Sequence, residues 1–403
     1  MRISDRIHVK RAELALARMP GIRKPLDLRK ERRVMEAARE GYDPELPYHN
    51  FGGHIVSSMG IAVSLIGGAV SCGVKIDSHA AWHALLFHDA LLRGNPDDEL
   101  RAAEYARDCL EHFGYPEEHV EKVAGIIPAT KIGKKVDTPE KMVLRAIDVA
   151  NIGGPYGPFE RNFFALHEEA QEFRGRRIPL EEFLGQACRI LSRALSINIH
   201  LTPAFYNQWG SSAFHTNAFS NIYRISCRIQ ERRLRFVGEV GCGANPTILR
   251  SGAGDEPLFY VGIDPNEGAL MDALFLSYSR APMHLSFFAP AYGNALPFNS
   301  NALHELRFVN TMLHHPDSFS SKEVARVLKR GGIATIAETY TPLGYGFYDG
   351  SYLDGNQRGK PIEERELEII LRDVRSKIGP FGFSEGPRFM AERGDLFLCF
   401  FKT

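Results

Sequence analysis

FVGEVGCGANP, residues 236–246, runs from an apolar stretch into a turn with glycines at 241 and 243, and the helical pattern TILRSG comes next. Glycine carries no Cβ, so the backbone can turn tightly there and approach a ligand closely. A G-x-G turn alone is weak evidence, since many strand-to-helix turns contain one. The residues after the turn strengthen it. A second apolar run, FYVGID, ends in Asp264 about twenty residues on, where a carboxylate can accept from both hydroxyls of a ribose. Then come YGNALPF, ELRFVNTMLHH, the helical KEVARVLKRGG and the strand-like IATIAET. Short β-rich runs alternating with helical ones predict an α/β domain. Position 246 is proline, so the dinucleotide pattern G-x-G-x-x-G is not met, which argues against a dehydrogenase.

Upstream the pattern changes. From about 35 to about 229 the chain is written in helical segments such as AAWHALLFHDALL, DELRAAEYARDCLEHFG and PEKMVLRAIDVANIGG, with apolar residues three and four apart. The charged stretch RIQERRLR closes this part, and the domain boundary is expected near residue 230. A length of 403 residues suits two domains. Residues 1–34 read as a basic helical arm of mixed charge, best taken as a solvated helix. Lys plus Arg and Asp plus Glu both number 49, so no global charge draws the chain to nucleic acid or a membrane surface. No apolar run approaches the roughly 20 uninterrupted residues of a membrane span. The six cysteines are scattered, with no CxxC pair, and read as reduced, mostly core thiols of a cytoplasmic protein.

The helical part holds a second constellation. YHNFGGH, residues 48–54, places two histidines ahead of a long apolar segment, His88 and Asp89 end the helical run LLFHD, and Asp148 sits inside the apolar LRAIDVANIG. Each has an ordinary explanation: a histidine can cap a helix, and Asp148 can pair with Arg145 or Lys141 on its own helix. Jointly they suggest a divalent cation, which wants ring nitrogens and carboxylates together in a buried place. Such a cation polarises a phosphoryl oxygen and activates water, and an imidazolium beside it can protonate the departing oxygen. Lys131 could neutralise phosphate charge, or stand as a plain surface lysine. His112 and His119 flank the turn FGYPEE and are expected to face solvent, which favours hydrolysis over dinuclear oxygenation.

On these residues the helical part resembles the HD-domain metal-dependent phosphohydrolases, and PYHNFGGH is similar to the YHNxxH element of cyclic-nucleotide phosphodiesterases and related bacterial HD proteins. The resemblance spans about residues 40–220 and implies an all-α fold. It also implies His54, His88, Asp89 and Asp148 as metal ligands, with iron, manganese, zinc, magnesium or nickel undecided, and His49 as general acid. One departure is plain: the two histidines stand five apart here and four apart in that family.

Residues 230–403 resemble the class I S-adenosylmethionine-dependent methyltransferases, through EVGCGANP, Asp264, GNALPF and EVARVLKRGG in order. The resemblance implies a Rossmann-like α/β fold in which Glu239, Gly241 and Gly243 frame the methionine end of S-adenosylmethionine, Asp264 the ribose, and Asn294 with Ala295 the adenine. Asn245 stands where a third glycine is common, and Asn294 where an aspartate usually accepts the adenine amino group. Methyl transfer needs alignment more than acid or base, so catalytic residues are hard to name; His314 and His315 are candidate bases. TPLGYGFYDGSYLDGNQRG after the fifth strand reads as a substrate lid.

The expected protein is bifunctional, hydrolysing a phosphate ester or phosphodiester and methylating a small molecule. Its expected partners are small-molecule substrates rather than nucleic acid or membrane, and the chain is compatible with a homodimer. Two alternatives are a methyltransferase whose helical domain is a recognition or dimerisation module, and an RNA-modifying methyltransferase guided by the basic arm.

Overall fold

The computed structural model describes residues 3–22, 26–131, 134, 136–196, 211–244, 246–247, 257–280, 285–291, 295–309, 320–339, 372, 374–376, 378–390 and 395–403. The chain divides into two compact units, Met1–Phe183 with Ile199–Phe214, and Leu184–Asn198 with His215–Thr403.

In the first unit every regular element among the described residues is helical. These are α1 (Ile3–Ala17), α2 (Leu28–Glu40), α3 (Val56–Ser71), α4 (Ser78–Phe87), α5 (Asp98–His112), α6 (Glu117–Ile126), α7 (Pro139–Val149) and α8 (Tyr156–Arg174). Side-chain caps start several of them. Asp77 accepts from Ala80 N at the head of α4, and Thr138 from Lys141 N at the head of α7, where Pro139 takes the first helical position. α4 is the central element, with every residue from Ala80 to Phe87 buried, as a helix apolar on all sides must be. The turn that follows it carries His88 and Asp89 at the edge of this core.

Two expectations need correction here. The described part of residues 1–34 is not simply a solvated helix: Val9, Ala12, Leu16 and Met19 are buried, as are Glu31 and Val34 on α2, and Arg32 pairs with Glu13. Val9, Ala12 and Leu16, three and four apart on α1, form a face that packs on the helical unit. Further, Phe51–Ser71 is long and apolar enough to cross a membrane by length and composition. Serines and glycines break the run in sequence. In the fold its Met59, Ala62, Leu65, Ile66 and Ala69 face is buried, as in the core helix of a globular unit.

The second unit begins before the sheet. α9 (Leu180–Ser196) and α10 (Ser211–Ile229) precede the strands, and most of their residues belong by contact to this unit. Ser192 Oγ donates to Ser286 O at 2.9 Å in a buried contact, and Phe219 and Tyr223 pack on Phe287, Phe298, Phe236 and Phe259. The boundary expected at 230 therefore falls too late. An amphipathic helix shows that it needs a partner, not which partner it takes.

The sheet has seven strands among the described residues: β1 (Arg235–Val240), β2 (Leu258–Ile263), β3 (Leu285–Ala289), β4 (Leu303–Val309), β5 (Leu328–Thr339), β6 (Phe383–Met390) and β7 (Asp395–Lys402). Their order is β3-β2-β1-β4-β5-β7-β6. β1 to β5 run parallel, while β7 is antiparallel to both β5 and β6. α11 (Glu267–Arg280) follows β2, and α12 (Ser321–Val327) precedes β5. α12 stops at Val327, short of the KEVARVLKRGG pattern, because Leu328 is extended, fully buried and paired with Leu303. The chain winds outward from β1 to β3 and returns to β4 on the other side, so the switch point lies beyond the ends of β1 and β4. That is where open α/β sheets bind ligands. All six cysteines are unpaired, but only Cys188 and Cys242 are buried, so most are not core thiols.

Candidate functional site

Four side chains converge at one end of α4. His54 Nε2 and His88 Nε2 are 3.2 Å apart. Asp89 Oδ2 lies 3.2 Å from the first and 3.0 Å from the second, and Asp148 Oδ1 lies at 3.5 and 3.6 Å. Donors about 2.1 Å from a common ion stand a little over 3 Å from each other, so this set could hold a divalent cation. His88 Nδ1 bonds Leu85 O at 2.9 Å. That fixes the proton on Nδ1 and turns the Nε2 lone pair inward, as for a metal-ligating histidine. Asp89 Oδ2 is buried without a hydrogen bond among the described residues, and so is His54 Nδ1. A carboxylate oxygen near two ring nitrogens at angles unsuited to hydrogen bonds is better matched to a cation than to a proton.

Electrostatics agree with the geometry. Burial alone would lower the His88 and His54 imidazoles, but the Asp89 and Asp148 carboxylates outweigh it and raise both. Burial would raise Asp89 and Asp148, and the two imidazoles hold both carboxyls below the ordinary range. Pairing of Asp148 with its own helix does not occur. Lys141 goes to Asp137, and the Arg145 guanidinium goes to the carbonyls of Ala129, Lys131 and Lys134.

The five-residue interval between His49 and His54 has a local cause. Asn50 caps the segment by accepting from Gly53 N, and Phe51–Ile55 forms a π-helical turn in which Val56 N bonds Phe51 O. An i→i+5 turn holds one residue more than an α turn. The extra residue is absorbed there, and the His49 and His54 rings stay 5.4 Å apart by centroid.

His49 itself is held by Glu169 on α8. One carboxylate oxygen meets His49 Nδ1, and the other accepts from His49 N at 3.0 Å and Tyr48 N at 3.2 Å. Burial pushes the Glu169 carboxyl up, and the His49 contacts outweigh this and bring it down. Nothing in the sequence singles out Glu169: it lies 120 residues away among several acids of one amphipathic helix.

Lys131 is not gathered with these groups. Its ammonium binds the Pro96 carbonyl and approaches Glu99 Oε2 at 3.4 Å, so the structure does not support it as a phosphate contact. His119 also departs from expectation. It is half-buried, its Nε2 sits 2.8 Å from His83 Nδ1, and burial followed by the neighbouring His83 and His79 takes its pKa down to about 4. Through His83 it adjoins a second cluster, Glu31, His79 and His83, for which HAAWH, residues 79–83, was the available signal.

In the second unit the candidate site is made of backbone. Gly241 and Gly243 have φ of 73° and 54°, the left-handed region in which a side chain is strained. Gly241 N bonds Ile263 O at 2.8 Å, tying the turn to the end of β2. Gly243 N donates to Asp264 Oδ2 at 3.0 Å, and Asn266 N to Asp264 Oδ1 at 2.9 Å. Asp264 is thereby fixed beside the glycine turn at the switch point. Glu239 lies deeper, fully buried at the base of the turn. Its carboxylate accepts from Thr247 N at 3.0 Å and Tyr260 OH at 2.8 Å, so it shapes the turn from beneath. Burial raises the Glu239 carboxyl and outweighs these bonds. Ala295 is exposed. Asn245, Asn294, His314, His315 and the segment 341–359 lie outside the described residues.

No family model matches the chain. It is similar to an uncharacterised methyltransferase of Mycolicibacterium gilvum (strain PYR-GCK), with 26% identity over 197 residues, 48% of this chain and 74% of that protein. Among solved structures it is similar to the antibiotic-resistance methyltransferase Kmr, at 19% identity over 42% of this chain and 87% of that one, TM-score 0.31. It is also similar to phosphoethanolamine N-methyltransferase 2 of Haemonchus contortus, at 12% identity over 41% and 48%, TM-score 0.29. Scores of this size carry no argument about fold. The strand order does, and it is consistent with a Rossmann-like methyltransferase fold.

Proposed function

We propose that the sheet unit is an S-adenosylmethionine-dependent methyltransferase acting on a small molecule. The observation that carries this is the Gly241–Gly243 turn held against Asp264 at the switch point of a sheet ordered β3-β2-β1-β4-β5-β7-β6. Similarity to a protein named as a methyltransferase supports it. When bound, the cofactor supplies a methyl group on a sulfonium, ready for an aligned nucleophile. The chain's own work is placement: Gly241 and Gly243 would admit the cofactor's chain close to the backbone, Asp264 would accept from the ribose hydroxyls, and Glu239 holds Thr247 so the turn keeps its shape. Calorimetry with S-adenosylmethionine tests this. Micromolar binding that Asp264→Ala abolishes is expected, and no binding by the intact chain would overturn it.

The four-ligand cluster supports a second activity, phosphoester hydrolysis by the helical unit. His54, His88, Asp89 and Asp148 would hold a divalent cation, which supplies Lewis acidity toward a phosphoryl oxygen. His49, turned by Glu169 through Nδ1, would present Nε2 to protonate the departing oxygen. Turnover of model phosphomonoesters and cyclic nucleotides with added manganese or iron, lost in Asp148→Asn, is the expected result; turnover unaffected by that change refutes the assignment.

A further inference from the structure

α4 carries a second set of ligand-type side chains toward its other end. His79 and His83 are four apart, so both project from one face of the helix. That face meets Glu31 on α2. His79 Nε2 lies 2.9 Å from Glu31 Oε1, and His83 Nε2 lies 3.0 Å from Glu31 Oε2. Two nitrogens and a carboxylate thus meet with their ligand atoms all within 4.8 Å of one another. Glu31 and His83 are buried, while the His79 side chain is 24% exposed, so the group has one open side.

The second nitrogen of His83 is also held. Its Nδ1 sits 2.8 Å from His119 Nε2 on α6. Tyr115 stacks on the His119 ring with centroids 5.2 Å apart, and its hydroxyl donates to Glu31 Oε1 at 2.6 Å. When the His83 proton lies on Nδ1 and is donated to His119, the Nε2 lone pair faces a carboxylate oxygen. Two acceptors 3.0 Å apart repel unless a cation lies between them. Orientation of a ligating imidazole through its far nitrogen is the usual outer-shell arrangement of a metal site. The other tautomer closes the same contacts with protons alone, and metal content separates the two.

We propose that Glu31, His79 and His83 form a second metal site, distinct from the His54, His88, Asp89 and Asp148 cluster. It would take a divalent transition cation of the zinc type, with His119 as the outer partner of His83. Two imidazoles, one carboxylate and an open fourth position suit that ion. The site would fasten α2 to α4, raising the stability of the unit when loaded.

The full chain, stripped with chelator and reloaded with zinc, provides the test by elemental analysis after desalting. Two equivalents are expected in the unaltered chain, one in His79→Ala, one in Glu31→Gln, one in His88→Ala and none in the double variant His79→Ala/His88→Ala. Glu31→Gln keeps the shape and hydrogen-bonding reach of the side chain and His79 is part-exposed, so both should fold; circular dichroism checks this. His119→Ala should keep the stoichiometry and weaken zinc about tenfold. Cobalt as a probe should give visible d–d absorption in His88→Ala that disappears in the double variant. If His79→Ala and Glu31→Gln hold as much zinc as the unaltered chain, the site is a proton-bonded cluster and the proposal fails. A single equivalent in the unaltered chain that survives His88→Ala and vanishes in His79→Ala would leave this proposal standing while removing metal from the phosphohydrolase reading.

Discussion

The two units build their candidate sites from different materials. In the helical unit, groups from the turn before α3, from the end of α4 and from α7 reach a common point, and their side chains are the site. In the sheet unit the chain offers mainly backbone, at a glycine turn, and one side chain, Asp264, fixed by two backbone N–H groups. A side-chain site is destroyed by taking atoms away. A backbone site is damaged by adding them.

That contrast can be broken first at His88, where the largest effect is expected. His88→Ala removes an inward-facing donor, and affinity for the cation at that cluster should fall by more than the roughly 10–100-fold that loss of an outer-shell partner costs, read as metal retained against a graded chelator. Cofactor binding by the sheet unit should not change; a loss there would mean that the two sites do not behave separately. The converse is Gly243→Val. A β-branched residue at φ of 54° is strained by roughly 1–2 kcal/mol or more, although among the described residues, chain neighbours aside, no atom lies within 4 Å of its Cβ. Affinity for S-adenosylmethionine should drop about tenfold or more, with metal content intact. Normal affinity in this variant would show that the turn does not approach the ligand.

A smaller effect separates ligand from positioning residue. Glu169→Gln keeps acceptors for Tyr48 N and His49 N but removes the charge that orients the His49 ring. Phosphoester turnover should fall about tenfold at unchanged metal content, with its pH profile displaced. The smallest effect concerns the scaffold. Glu140 Oε1 accepts from Asp77 N at 2.9 Å and sits 3.3 Å from Lys122, linking the start of α7 to the residue that caps α4. Burial raises its carboxyl, and the Asp77 amide with Lys122 outweighs this and lowers it from 4.5. A carboxyl lowered by folding contributes stability that is complete above its unfolded value and is lost as pH falls through the folded one. The melting temperature of Glu140→Gln should therefore trail that of the unaltered chain at neutral pH, and the gap should close as pH is taken below 4.5.

Legibility from sequence divides along the same line. The glycine turn and Asp264 were readable because strand, turn and strand succeed one another within thirty residues, and their apolar runs punctuate the chain. His54, His88, Asp89 and Asp148 were readable because polar groups inside apolar helices need an explanation. Glu169 and Glu31 were not, since an acid on a charged helix is ordinary until the fold turns it inward. Lys131 divides the other way: its charge suited the chemistry, but its contacts with Pro96 and Glu99 match the alternative of a plain surface lysine. The late boundary at 230 reflects α9 and α10, which read as helices like those before them, while most of their residues belong by contact to the sheet unit.

The π-helical turn at Phe51–Ile55 bears on how such chains are recognised. Searches that demand a fixed interval between histidines treat one inserted residue as the loss of a motif. Here the five-residue interval goes with a changed pitch in a single turn, and His54 still lies beside His88 and Asp89. A chain shortened by Gly52 would be expected to reach His54 through an ordinary α turn, making helical pitch the variable and the donor set the constant.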